Sequence, residues 1–288
     1  MNTKIVLLDI AKRDLTAAKC LFREKLYPHA IFYLEQTVEK AIKAMGLHYK
    51  IITEDELEVV GHEAVKIYIK ILQGLKDKLK RFQDKIKQLP RLKHTTLFKE
   101  FEKIGPDKFD EILTNFESFL RYSYHQLTDE KLEKALLELT KLEEEISSQK
   151  IKIKKDDINN VKSLVREVVN AISEESPATH EIIIKRELEK IDSLTPQLMS
   201  NLVESLAIPL AICYNRLLFL SAALCPLAVS VRYPYPKNEH NPLKVYTEEH
   251  PLVKRFKQLS NIAEKALNRL EELFSENVAE IGRMSKLS

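Results

Sequence analysis

The sequence predicts an all-α protein, and three observations carry that expectation. Apolar residues recur at spacings of three and four in one segment after another. No segment sustains the period-two alternation of a half-buried strand. The chain also holds only 5 glycines among 288 residues, where average usage would give roughly 20. So few glycines exclude a glycine-rich phosphate loop, a dinucleotide-binding turn and a turn-rich β fold. With 44% hydrophobic and 31% charged residues, the chain is rich enough for a buried core and is neither a disordered chain nor a stapled mini-protein. A net charge of +3 is too mild to mark a nucleic-acid binder by itself.

The first helix is expected over residues 5–25, where Leu8, Ala11, Leu15, Ala18 and Phe22 fall on one face. Tyr27-Pro28 breaks the chain, and Pro28 suits the first turn of a second helix. Ile31, Leu34, Val38, Ile42 and Met45 give that helix its stripe, and Gly46 marks its approximate end. A polar link follows, and a third helix is expected from Gly61-His62. Residues 76–94 carry eight Lys and Arg against Asp77 and Asp84, on an amphipathic helix whose charges read as a solvated face. Leu132, Ala135, Leu139, Leu142 and Ile146 fit two heptads, too few for a coiled coil, so a helical hairpin arm is expected. Thr195-Pro196 looks like a cap and first-turn proline opening a long apolar helix to about Leu224. Residues 226–251 hold five of the eleven prolines and read as a loop. The final helix carries Phe256, Leu259, Ala263, Ala266, Leu270 and Leu273 at 3-4-3-4-3 spacing.

Cys20, Cys213 and Cys225 form no metal spacing and no C-x-x-C pair, and are expected as buried free thiols in a reducing cytosol. The N-terminus acquires charges too soon for a signal peptide. Residues 206–231 are apolar enough to span a membrane, but Asn215 and Arg216 interrupt the run with Pro209 and Pro226. A charge at bilayer depth is costly, so the segment reads as a central bundle helix of a cytoplasmic protein. High Lys and Glu with sparse Gly would suit a thermophile, which composition alone does not establish.

The stretch from Asp9 to Leu47 resembles the opening of HEPN domains (higher eukaryote and prokaryote nucleotide-binding). The matching features are Ala11, Asp14-Leu15, Ala18, then Tyr27 and Ala30, and above all the block from Glu35 to Ala44. Gly61-His62 follows where the family starts a helix, and Val231-Arg232-Tyr233-Pro234 resembles its arginine-tyrosine-proline junction. The resemblance covers residues 5–71 and 221–273. It implies an up-and-down helical bundle, often dimeric, with residues 1–75 and 195–288 as the HEPN-like core and 76–194 as an inserted helical segment.

The best-known active members of that family are metal-independent ribonucleases with an Arg followed four to six residues later by a His. An imidazole titrating near neutrality can take the proton from an attacking 2′-hydroxyl or return one to the leaving oxygen. A guanidinium can hold phosphate oxygens and offset developing charge. Here Arg232 reaches His240 with seven residues between, longer than the motif, and Arg121 reaches His125 with three between, shorter. Arg232 is the better positional match, so Arg232 and His240 are the candidate catalytic pair. The alternative is that Arg232 pairs inside the bundle and His240 is a surface loop residue.

Lys40, His62 and Tyr233 are the candidate nucleotide or RNA contacts. Against this, His62 can serve as a helix-start residue, and Glu35, Glu39 and Lys43 can form i,i+4 pairs on a helix surface. The basic face of residues 76–93 could follow a phosphate backbone, though no exposed aromatics interleave it. No metal-ligand spacing, nucleophile elbow or Walker sequence appears, so neither metal nor cofactor is expected. Three functions follow: a module binding nucleotide, RNA or a partner nucleotidyltransferase, in a toxin-antitoxin or defence context; a metal-independent ribonuclease; and a non-catalytic scaffold. A homodimer is the expected assembly.

Overall fold

A computed structural model describes residues 2–60, 65–88, 128–148, 195–202, 204–205, 208–224, 230–233 and 241–284, with isolated positions between 155 and 166. Among the described residues there is helix and no strand. The chain divides into two compact units, the first comprising Met1–Ile71, Thr114–Ser148 and Pro209–Ser288 and the second Leu72–Leu113 and Gln149–Ile208.

In the first unit, α1 (Thr3–Arg23) buries Leu8, Ala11, Leu15 and Ala18, the stripe its spacing predicts. It ends in a tight reversal. Lys25 sits at φ 59°, and the Leu26 amide reaches back to the Leu21 carbonyl at 2.9 Å, so a left-handed residue closes the helix without glycine. Antiparallel α2 (Tyr27–His48) starts immediately, with Pro28 in its first turn, and buries Ile31, Leu34, Val38, Ile42 and Met45. It runs through Gly46 rather than stopping there. An added Cβ at Gly46 would lie 3.1 Å from the Ile52 side chain and 3.3 Å from Ile67, so glycine here gives room for close packing.

The short α3 (Glu56–Val60) precedes α4 (Val65–Gln88), whose Ile67 and Tyr68 are buried in the first unit. Residues 61–64, including His62, lie outside the described residues. Helix α5 (Asp129–Ser148), which the sequence reading leaves in the inserted segment, packs within the first unit. It buries Leu132 and Leu139. Arg216 donates two hydrogen bonds to Glu143, at 2.8 and 2.7 Å, and Arg255 donates to both Asp129 and Glu133 at 2.9 Å.

After Thr195 the described helices are α6 (Pro196–Leu202), in the second unit, and α7 (Ile208–Leu224), with Pro209 in the first turn of the latter; residues 203, 206 and 207 lie outside the described residues. In α7, Cys213, Leu217, Leu220 and Leu224 are buried. No helix among the described residues is long and apolar enough to cross a membrane. Cys213 is a buried free thiol, pushed up to about 12 by burial, but Cys20 is exposed. Position 20 lies two residues past Ala18, off the buried stripe of α1. Cys225 lies outside the described residues.

The proline-rich stretch is not simply a loop. It forms two single-turn helices, α8 (Pro242–Val245) and α9 (Pro251–Lys254), each with proline at its start. Asn241 caps the first and His250 the second, accepting from Leu243 and Leu252 amides at 3.0 and 3.3 Å. Helix α10 (Phe256–Met284) completes the unit, with Phe256, Leu259, Ala263, Ala266, Leu270 and Leu273 buried. In the second unit, Asp77, Lys80, Arg81 and Asp84 of α4 are exposed, as a solvated charged face would be.

The His250 cap carries a pH prediction. Burial lowers this imidazole from its ordinary 6.5 to about 4, because charging it would cost solvation and the cap's acceptor lone pair. The unfolded chain therefore binds the proton first. Stability contributed above pH 6.5 is lost as the pH falls toward 4. His250→Asn keeps a capping acceptor without the titration. Its melting temperature should fall less than wild type between about pH 7 and about pH 5, as calorimetry would measure. His48, also lowered to about 4 chiefly by burial, retains part of the slope. An unchanged slope would place the acid sensitivity elsewhere.

Candidate ligand site at Arg232

The amino-terminal half of α2 and the junction at 230–233 build one open pocket of about 460 Å³. Phe32, Tyr33 and His29 of α2 line it together with Arg232 and, from the α8 turn, Asn241 and Leu243. The junction is anchored by buried Val231 and by a 2.8 Å hydrogen bond between Ser230 and the Tyr246 hydroxyl. The α8 turn is fixed by its asparagine cap. Two short, capped elements thus carry the junction back against α2.

Arg232 is half-buried. Its guanidinium lies 5.0 Å from the centre of the Phe32 ring and 5.4 Å from that of Tyr233, within cation–π range of both. Tyr233 is 54% exposed, leaving much of its ring to solvent. A guanidinium lining a pocket can take phosphate oxygens, and an exposed ring can stack on a base.

Behind this pocket α2 carries a ladder of polar side chains that are buried rather than on the surface. Glu35, Thr37 and Glu39 are 0%, 0% and 4% exposed. Gln36 donates to Glu35 at 2.9 Å and to Glu39 at 3.3 Å. Lys43 makes the expected i,i+4 pair with Glu39 at 2.7 Å. Lys40 reaches across to Asp14 of α1 at 2.8 Å and also donates to Gln36. Burial raises the Glu35 carboxyl to about 7, against the Gln36 hydrogen bond, with Glu39 adding to the rise and Lys40 and Arg232 opposing it.

Of the residues singled out from the sequence, Arg232 lines the pocket, and Tyr233, its neighbour in the chain, does not. Lys40 is engaged with Asp14 and Gln36 and does not line the pocket. His240 and His62 lie outside the described residues, as do Arg121 and His125. Sequence reasoning missed Phe32, His29 and the burial of Glu35. The signal for Glu35 was present, since it lies four residues after Ile31 and three before Val38, on the core-facing register of α2.

A larger groove of about 740 Å³ runs along α1 and α10 and is lined by Lys12, Lys19, Arg23 and Lys257 among others. Lys12 pairs with Glu271 at 2.5 Å and Lys19 with Glu264 at 2.9 Å. No group of three or more metal-ligating side chains occurs among the described residues.

Residues 6–126 match the HEPN domain family. The match takes in Arg121 and His125 and leaves Arg232, Tyr233 and His240 outside it. Comparison with curated proteins and with solved structures finds no match.

Proposed function

We propose that this protein binds a phosphate-bearing ligand, a nucleotide or single-stranded RNA, at the Arg232 pocket. The observation that carries the reading is the pocket-lining Arg232 guanidinium, within cation–π range of Phe32 and of exposed Tyr233. It offers charge to a phosphate and an exposed ring to a base. Stacking on such a ring contributes about 1–3 kcal/mol per base, and a charge-assisted phosphate contact adds to it. Fluorescence anisotropy with a labelled RNA oligonucleotide tests the reading. Arg232→Ala should weaken binding by about tenfold or more, and Tyr233→Ala by less. Equal affinity of Arg232→Ala and wild type would overturn it. A partner nucleotidyltransferase and a homodimer remain part of this proposal, tested by co-purification and by the mass of the protein in solution.

A second reading is favoured by the reach of the family match to residue 126, which includes Arg121 and His125. Under it the protein is a metal-independent ribonuclease. RNA cleavage in EDTA, compared among wild type, Arg121→Ala, His125→Ala, Arg232→Ala and His240→Ala, assigns the pair. Loss in Arg121→Ala and His125→Ala alone would support that site. Loss in Arg232→Ala and His240→Ala would instead unite binding and cleavage at the Arg232 pocket. Absence of cleavage by the wild type would sink the ribonuclease reading.

A further inference from the structure

We infer that the end of the α1–α10 groove flanked by Arg23 and Lys257 is a second ligand site, which takes the terminal phosphate of a phosphate monoester. It stands independently of the Arg232 pocket. The groove draws its cations from both walls, Lys12, Lys19 and Arg23 from α1 and Lys257 from α10. Lys12 and Lys19 are matched by glutamates on the opposite wall, Glu271 and Glu264. Arg23 and Lys257 are not. Arg23 donates to the Cys20 thiol at 3.1 Å, a weak acceptor, and neither residue makes an ion pair among the described residues. The cations around them do, Lys25 with Glu248, Lys254 with Glu249 and Arg255 with Asp129. Phe22 stacks on Phe256, which sets the next residue of each helix, Arg23 and Lys257, at the same end of the groove. Both are exposed. Helix stability does not explain Lys257. It occupies the first turn of α10, which holds no acidic residue, at the end of the helix dipole where a negative side chain is the stabilising one.

Two cations without a carboxylate select a doubly charged group. A phosphate monoester carries nearly two negative charges at neutral pH, whereas a carboxylate or an internal phosphodiester carries one. The guanidinium fork can take two of its oxygens and the ammonium a third. A run of successive phosphates fits less well, since the next cations along the groove, Lys19 and Lys12, are engaged by glutamates. The groove, of about 740 Å³, has room for more than the phosphate. Its floor gives little to an apolar helix or a base. Leu15 and Leu267 are buried, and the two phenylalanine rings are stacked on each other rather than set apart. Asn261, one turn beyond Lys257, also lines the groove and can meet the hydroxyls of a sugar. The chemistry is that of a sugar phosphate, free or at the end of a nucleic acid.

The test uses the full chain and reads alkylation of Cys20 by iodoacetamide, through the mass of its peptide. Cys20 lines the groove and is exposed, whereas Cys213 is buried. Rates with and without ligand are compared within each variant, because Arg23 touches the thiol. Ribose 5-phosphate should protect Cys20 at concentrations at least about tenfold below any at which ribose does. Arg23→Gln and Lys257→Gln should each raise the half-protecting concentration about three- to tenfold. Lys257→Gln leaves the thiol's own contact in place. A 5′-phosphorylated oligodeoxyadenylate that protects at lower concentration than ribose 5-phosphate would name a nucleic-acid end as the source, and one that needs more would name a small ester. Protection by ribose or by succinate equal to that by ribose 5-phosphate would overturn the inference. So would absence of protection by both phosphate esters, or protection unchanged in both variants. Arg232→Ala should keep the protection by ribose 5-phosphate, so failure of this site and failure of the Arg232 pocket are read apart.

Discussion

Phe256→Ala is expected to destabilise the protein by about 3–5 kcal/mol, the largest effect of a single substitution considered. Phe256 is 2% exposed at the start of α10, and its ring stacks on Phe22 of α1 with centroids 4.2 Å apart and planes 4° apart. Truncation removes the apolar transfer energy of the ring and leaves a cavity at the point where α10 meets α1. It also forfeits the stacking, about 0.5–1.5 kcal/mol beyond area burial. The loss is a large share of the roughly 5–15 kcal/mol that holds a typical domain together. Urea unfolding followed by circular dichroism measures it. A change below about 1 kcal/mol would contradict the packing described for this end of the bundle.

Arg216→Ala is the second. Its guanidinium forks onto Glu143 of α5 with both partners largely shielded, at 17% and 21% side-chain exposure. Hydrogen bonds between charged groups contribute about 1.5–3 kcal/mol when sheltered, so with partial solvent screening a cost of about 1–3 kcal/mol is expected. The effect should be local. Limited proteolysis should cut α5 faster in the variant, while α1 and α2 stay protected. A double-mutant cycle with Glu143→Ala isolates the pair. Additive effects would show that Leu132 and Leu139, rather than the ion pair, hold the helix.

The bundle's helices were legible where one face is apolar and the opposite face polar. The stripes of α2 and α10 are buried as their spacing foretells, and so is that of α1 except for half-buried Phe22. Helix α7 sets no continuous polar face against its apolar one, so periodicity could not locate its start. The turn after α1 carries lysine at a left-handed position, where a sequence reader looks for glycine. The caps at Asn241 and His250 were hidden in a stretch whose prolines read as a loop. Proline after a capping residue is also how a short helix begins. Placement of α5 was illegible for another reason. Its heptad-like face is equally suited to a hairpin arm, and the arginines that fix it lie far along the chain. At the site, Arg232 and Tyr233 were found through family resemblance. Glu35 was misread as a surface residue because its i+4 neighbour, Glu39, has a lysine a further turn on at Lys43, a pattern common on exposed helices.

Those distant partners determine how the protein is made as well as how it stands. The Lys19–Glu264 bridge joins residues 245 apart in the chain, and the Arg216–Glu143 fork residues 73 apart. A ribosome adding about 5–20 residues per second needs on the order of ten to fifty seconds to travel the longer span. The α1–α2 hairpin can form at once, since its contacts are local. Its outer apolar stripe, with Phe22 at the end, must then wait for α10 to emerge. For that interval the nascent chain presents a helical hairpin with one face uncovered, a substrate for chaperones and a liability to neighbouring chains on the same messenger.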